Sequence, residues 1–205
     1  GGGFIAGLIT AAAFGSAGYS VTCVDPTPPI TEEGAQGSDL RTTAFLHPSI
    51  PVLEAAGLPV TAVSTVTGFP EVLGGRVKTL HPKIHAGILA NKDEESHMQT
   101  LTEKGIRPFD LVCVNLYDFA GAVERHLSLE QAVEEIDIGG PCMLRAAAKN
   151  FHSILVLPSP QWYTAAMEEL EKDTTVGLEF RQVMASRAFE ATSRYDALIT
   201  SYLRP

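Results

Sequence analysis

Asp110-Leu-Val-Cys-Val-Asn115 is a short apolar run closed at both ends by polar side chains. A run of that length and composition reads as a buried strand of the kind that parallel sheets use. Ser153-Ile-Leu-Val-Leu157 has the same character and reads as a second strand. Helical patterns surround them. Leu127–Glu135 carries Ser128 with Gln131 three residues on, a capping box. Gly140–Asn150, Ser159–Leu170 and Leu178–Leu203 read as further helices. Upstream, a small-residue helix is expected from about Gly7 to Ala17, a strand over Tyr19–Val24 and a loop over Pro26–Ser38. A helix follows over Ser49–Ala56, stopped by Gly57, and then a short strand over Val60–Val63. This alternation predicts an α/β fold, a three-layer sandwich around a mainly parallel sheet.

Composition narrows the class. The chain has 205 residues, 45% hydrophobic and 19% charged, which suits an ordinary globular domain with a full core. No apolar run reaches membrane-spanning length, so no membrane partner is expected. Phe4–Ala13 is apolar but lacks a basic flank and a cleavage site, so no signal peptide is expected. The three cysteines, Cys23, Cys113 and Cys142, show no metal-type spacing. Cys23 and Cys113 sit in apolar runs and are expected to be reduced core residues. These features set the expectation of a cytoplasmic protein without a bound metal.

The formal net charge is -9, yet between Glu71 and Asp93 there is no acidic residue. That stretch holds Arg76, Lys78, Lys83 and Lys92, together with His81 and His85, which can be cationic. Gly74 and Gly75 precede the first two cations and let backbone approach a bound group. One compact cationic island in an acidic chain suits a small anion; nucleic acid wants an extended basic face. A solvated charged loop is the other reading.

Three further signals add chemistry. Asn115 and Tyr117 follow the Asp110–Asn115 strand, where open α/β sheets bind ligands; Tyr117 could equally be a half-buried core aromatic. Asp137 lies in Ile136-Asp-Ile-Gly-Gly140, directly before a helix. Partial burial there would raise its pKa towards general acid/base use, or it could be a plain helix cap. The amides of Gly139 and Gly140 at the helix start could meet an oxyanion or carbonyl. Arg145 and Lys149 share one helix face across three alanines, as part of a site or as a solvated stripe.

Taken together, GFPEVLGGRVKTLHPKIHAGILA (68–90), CVNLY (113–117), EEIDIGG (134–140), LRAAAKN (144–150) and the terminal helix resemble the inosine monophosphate cyclohydrolase domain. That domain is the N-terminal half of the bifunctional purine-biosynthesis enzymes, and the likeness runs from about Leu53 to Tyr202. It implies a methylglyoxal-synthase-like fold and closure of the purine ring of a small anionic substrate, formylated aminoimidazole carboxamide ribonucleotide, with loss of water. It implies that Arg76, Lys78 and Thr79 hold the substrate, Lys78 also stabilising the oxyanion. Asp137 would assist removal of the amide proton, Lys149 would help proton transfer and Tyr117 would orient the formyl group. Asn115, Gly139 and Gly140 would bind the base. The resemblance implies a homodimer and no metal or organic cofactor. The formyltransferase half is expected to be absent, since the chain stops at Pro205. Asp118 stands where the family has proline after Asn-Leu-Tyr, and Cys142 where it has serine or threonine.

The first 57 residues read differently. The family's Ser-Val-Ser-Asp-Lys-type and Ser-Thr-Gly-Gly-Thr phosphate loops have no counterpart there. Gly1-Gly-Gly-Phe-Ile-Ala6, Val24-Asp25 and Asp39-Leu-Arg-Thr-Thr-Ala44 resemble instead the FAD-binding start of ubiquinone-biosynthesis-type flavin monooxygenases. That likeness implies Gly1 and Gly3 against the diphosphate and Asp25 on the ribose. Residues 1–57 are therefore expected to be a flavin-monooxygenase-like segment packed into the same domain as the cyclohydrolase-like part, 58–205, with the join near Leu53–Leu58. The alternatives are a non-catalytic module that binds FAD or another dinucleotide, and an inactive fusion remnant.

Overall fold

The structure, a computed structural model, describes residues 61–172 and 175–205. The elements expected over 7–17, 19–24, 26–38 and 49–56, and the flavin-type residues Gly1, Gly3 and Asp25, lie outside the described residues.

In chain order the elements are α1 (Val63–Thr67), a 3-10 turn (Leu73–Gly75), α2 (Pro82–Leu89), α3 (Glu95–Glu103), β1 (Leu111–Cys113), α4 (Phe119–Glu124), α5 (Leu129–Glu134), α6 (Gly139–Lys149), β2 (Leu155–Leu157), a second 3-10 turn (Pro160–Trp162), α7 (Tyr163–Lys172) and α8 (Leu178–Leu203). The strands β1 and β2 pair in parallel, in the register Leu111–Leu155, Val112–Val156 and Cys113–Leu157. The expected α/β fold with a parallel sheet is therefore present, though the strands are shorter than their apolar runs. Around residue 63 the expected strand is instead the start of α1, which ends at Gly68.

The core explains why α6 and α8 are the central helices. On α6, Leu144 and Ala147 are fully buried, and Ala146 and Ala148 nearly so. This alanine face lets α6 pack against α2, α8 and β2. On α8, Met184, Ala185, Ala188, Thr192 and Tyr195 form the buried stripe. Their spacing follows the 3.6-residue period of one helix face. All of β2 is buried, as a strand in the middle of such a core should be.

Local signals hold where they depend on near neighbours. The capping box of α5 is complete: Ser128 Oγ accepts from the Gln131 N–H, and Gln131 Oε1 accepts from the Ser128 N–H. Helix α8 spans the residues expected of it. Cys113 corrects the reading of the β1 run, because it is exposed. In β1 only Val112 is buried, so the third residue of an apolar run faces outward.

Candidate active site

Four segments meet at the amino end of α6. They are the loop carrying Arg76, Lys78 and Thr79, the turn after β1 carrying Asn115 and Tyr117, the Glu135–Ile138 link, and α8 behind them. The glycine pair shows how close the meeting is. A Cβ on Gly139 would lie 2.4 Å from Thr79 Oγ1, and one on Gly140 would lie 2.3 Å from Asp137 Oδ2. Both distances are below any tolerable contact, so these positions admit no side chain as packed here.

Asp137 is 9% exposed. Its Oδ1 accepts from the Gly140 N–H at 2.8 Å, and its carboxylate also accepts from the Tyr117 N–H. Burial pushes the carboxyl pKa up, while those two N–H bonds pull it back. The two readings of Asp137 thus coincide: the residue that caps the helix is also a desolvated carboxylate. Its own N–H donates to Tyr195 Oη at 2.8 Å, and the Tyr195 hydroxyl donates to the Glu135 carbonyl at 3.3 Å.

Thr79 is 8% exposed, next in the chain to Lys78. Lys78 is nearly buried, and its Nζ lies 3.0 Å from Glu71 Oε2. Arg76 is exposed and pairs with Glu134 of α5. Lys92 pairs with Asp110. The cationic island of the sequence is therefore compensated in three dimensions, by Glu71 at its edge and by acids from distant segments. Lys83 is the cation of the four without a carboxylate partner among the described residues. Both histidines have defined surroundings. His81 caps α2, its Nδ1 accepting from the Lys83 N–H. Burial pushes the His85 pKa down, and its buried Nε2 has no partner among the described residues.

Asn115 is exposed at the carboxyl end of β1, where its Oδ1 accepts from the Tyr163 hydroxyl at 3.2 Å. Tyr163 also lies 3.0 Å from Cys113 Sγ, and burial drives its phenol far above the ordinary range. Lys149 is exposed in the last turn of α6. At 1.5 Å per residue it stands about 15 Å along the axis from Gly139. Arg145 lies with its guanidinium carbon 5.4 Å from the ring centre of Phe189 on α8.

The structure thus brings Thr79, Tyr117, Asp137, Gly139 and Gly140 together, with Lys78 beside Thr79, and leaves Lys149 at the far end of the helix. Sequence reasoning missed Tyr195 and Glu71. The trace of Tyr195 in the sequence is a phenol on a largely apolar helix stripe, which marks a buried hydroxyl in need of a partner. Among the described residues no group of three or more His, Cys, Asp or Glu is placed to hold a metal ion. Nor is any described helix long and apolar enough to cross a membrane. A cavity of about 390 Å³ opens at the other end of the strands, lined in part by Asp110, Ser153 and Arg181. Asp110 is paired with Lys92 and Arg181 Nη1 donates to the His152 carbonyl, while the buried Arg181 Nε has no partner among the described residues.

Comparison with known proteins gives two family matches: the MGS-like domain over residues 51–142 and the AICARFT/IMPCHase bienzyme over residues 147–205. The bifunctional purine biosynthesis protein PurH of Lacticaseibacillus paracasei is 49% identical over 171 residues, 83% of this chain and 32% of that protein. PurH of Acetivibrio thermocellus is 50% identical over 153 residues, 74% of this chain and 30% of that protein. The chain spans about a third of the length of these curated relatives. The crystal structure of ForH superposes with a TM-score of 0.67 at 32% identity, covering 95% of this chain and 91% of that one. Coverage of 83% does not fit within residues 58–205, so the likeness extends into the segment expected to be foreign.

Proposed function

We propose that this chain, which belongs to the AICARFT/IMPCHase bienzyme family and has its MGS-like fold, is an IMP cyclohydrolase acting on formylated aminoimidazole carboxamide ribonucleotide. The carboxamide nitrogen attacks the formyl carbon, and the carbinolamine so formed loses water to give the purine ring. The observation that carries this reading is the buried Asp137 carboxylate, held by two backbone N–H groups at the start of α6 beside Thr79 and Tyr117. A carboxylate whose pKa is raised by burial is a better proton acceptor near neutral pH than an exposed one.

In this reading Asp137 takes the amide proton, and Lys78 stabilises the negative charge that develops on the formyl oxygen. Arg76 and Thr79 hold the substrate, Tyr117 orients the formyl group, and Asn115, Gly139 and Gly140 meet the base. Lys149 stands a helix length away within one copy, so its proton-transfer role is assigned to a site shared between two copies in a homodimer. Residues 58–205 are assigned as the cyclohydrolase-like domain, with 1–57 packed into it. For Gly1, Gly3 and Asp25 the sequence alone supports an FAD-binding reading; a colourless protein that ignores added flavin would end it.

The decisive experiment supplies the purified chain with the formylated ribonucleotide and follows purine-ring absorbance, beside Lys78→Ala. Turnover by the parent that Lys78→Ala reduces at least about a hundredfold supports the reading. A folded parent with no turnover overturns it.

A further inference from the structure

We propose that Tyr195 is a positioning residue, whose hydroxyl sets the orientation of the Asp137 carboxylate by bonding both sides of the Glu135–Asp137 link. Its consequence for ring closure rests on the function proposed above; the positioning itself does not.

Tyr195 is 8% exposed, on the buried stripe of α8 and 58 residues from Asp137. Its hydroxyl accepts from the Asp137 N–H at 2.8 Å and donates to the Glu135 carbonyl at 3.3 Å. One hydroxyl thus satisfies a backbone N–H and a backbone carbonyl of the link between α5 and α6. Its ring is fixed as well. Phe119, 1% exposed, packs edge-on against it with centroids 6.4 Å apart. The Phe119 N–H in turn donates to the Tyr117 carbonyl at 2.9 Å. Tyr195 therefore touches both chain segments that build the site: the Tyr117 turn through Phe119, and the Asp137 link through its hydroxyl. Burial pushes its phenol up to about 12, so the hydroxyl keeps its proton and its donor role across the working pH range.

The titratable groups facing the Tyr195 hydroxyl are Asp137 and Glu135 of the link and Tyr117 from the turn after β1. Arg125 at the end of α4 lies 3.7 Å from Glu135. Lys78 enters from the loop through its neighbour Thr79. Losing the Tyr195 hydroxyl would relax the link and weaken the two N–H bonds that the Asp137 carboxylate accepts. Those bonds favour the ionised form while burial opposes it, so the carboxyl pKa would rise further.

The test uses the full chain with Tyr195→Phe, which keeps the ring against Phe119 and removes the hydroxyl alone. Carbon-13 titration of the Asp137 carboxyl is expected to move up by about half a pH unit or more. Amide exchange at Asp137 is expected to quicken about tenfold. In the ring-closure assay kcat is expected to fall about tenfold with KM little changed, and its acidic limb to move to higher pH. A folded variant with unchanged Asp137 titration and amide exchange overturns the positioning role. A parent chain without turnover sinks the proposed function and leaves the two resonance measurements to decide the positioning. Should Tyr195→Phe not fold, 3-fluorotyrosine at position 195 weakens the acceptor in place. The Asp137 amide resonance must then shift, and an unmoved resonance overturns the inference.

Discussion

The two ends of α6 are built on opposite principles. At Gly139 the helix starts among groups drawn from Thr79, Tyr117, Asp137 and Tyr195, all but one of them distant in sequence. Two glycines there leave no room for a Cβ, and a carboxylate is held out of water. At Lys149 the helix ends with an exposed cation in its last turn, the favourable place for one against the helix dipole. Next to it, the Asn150 side-chain amide donates to the carbonyls of Ile88 and Ala90, both at 2.8 Å, and closes the end of α2. One end concentrates the cost of desolvation, and the other satisfies backbone with ordinary hydrogen bonds. Chemistry is expected where the cost lies, since a fold gains nothing in stability from burying a carboxylate.

That contrast is most easily broken at Asp137. Asp137→Asn keeps an oxygen to accept from Gly140 and removes the ionisable group. Turnover is expected to fall by about 10²–10⁴. Stability should move the other way near neutral pH. A carboxyl whose folded pKa is raised favours folding below its unfolded value and loses that contribution as pH rises through the folded one. The neutral amide escapes this loss, so thermal melts at pH 7 should show the variant at least as stable as the parent. A variant that melts lower while keeping its activity would make Asp137 a structural cap alone.

At the opposite end, Asn150→Ala should reverse the pattern. Two carbonyls lose their donor, so chemical denaturation is expected to register a loss of about 1–3 kcal/mol. The folded fraction should keep its kcat. The smallest stability effect belongs to Lys149→Ala, within about 0.5 kcal/mol, because the side chain is exposed. Its activity is the sharper measurement. If Lys149 serves a site shared between two copies, mixing Lys149→Ala with Asp137→Asn should restore part of the turnover that each lacks alone. Mixtures as inactive as their components would remove the shared-site reading.

Much of this was legible beforehand. The parallel strands, the capping box of α5, the extent of α8 and the helix opening at the glycine pair each follow from residues within a few positions of one another. Thr79, Tyr117 and Asp137, which lie together at the start of α6, were singled out from a resemblance between motifs and not from geometry. Other features were beyond such reading. Cys113 sits in a run as apolar as β2 yet faces out, because the run records hydrophobicity and not which face the sheet covers. Three of the island's four cations found carboxylates, one of them 58 positions away, and burial pushes the His85 pKa down.

What sequence decided here is therefore local: periodicity, capping and turn chemistry act between residues that are neighbours whatever the chain does elsewhere. What only the tertiary structure decided is which polar groups share a dry space, Asp137 with Tyr195 foremost. The difference is physical. Local propensities operate through a few torsions, whereas desolvation and pairing of a buried group depend on every segment that closes over it.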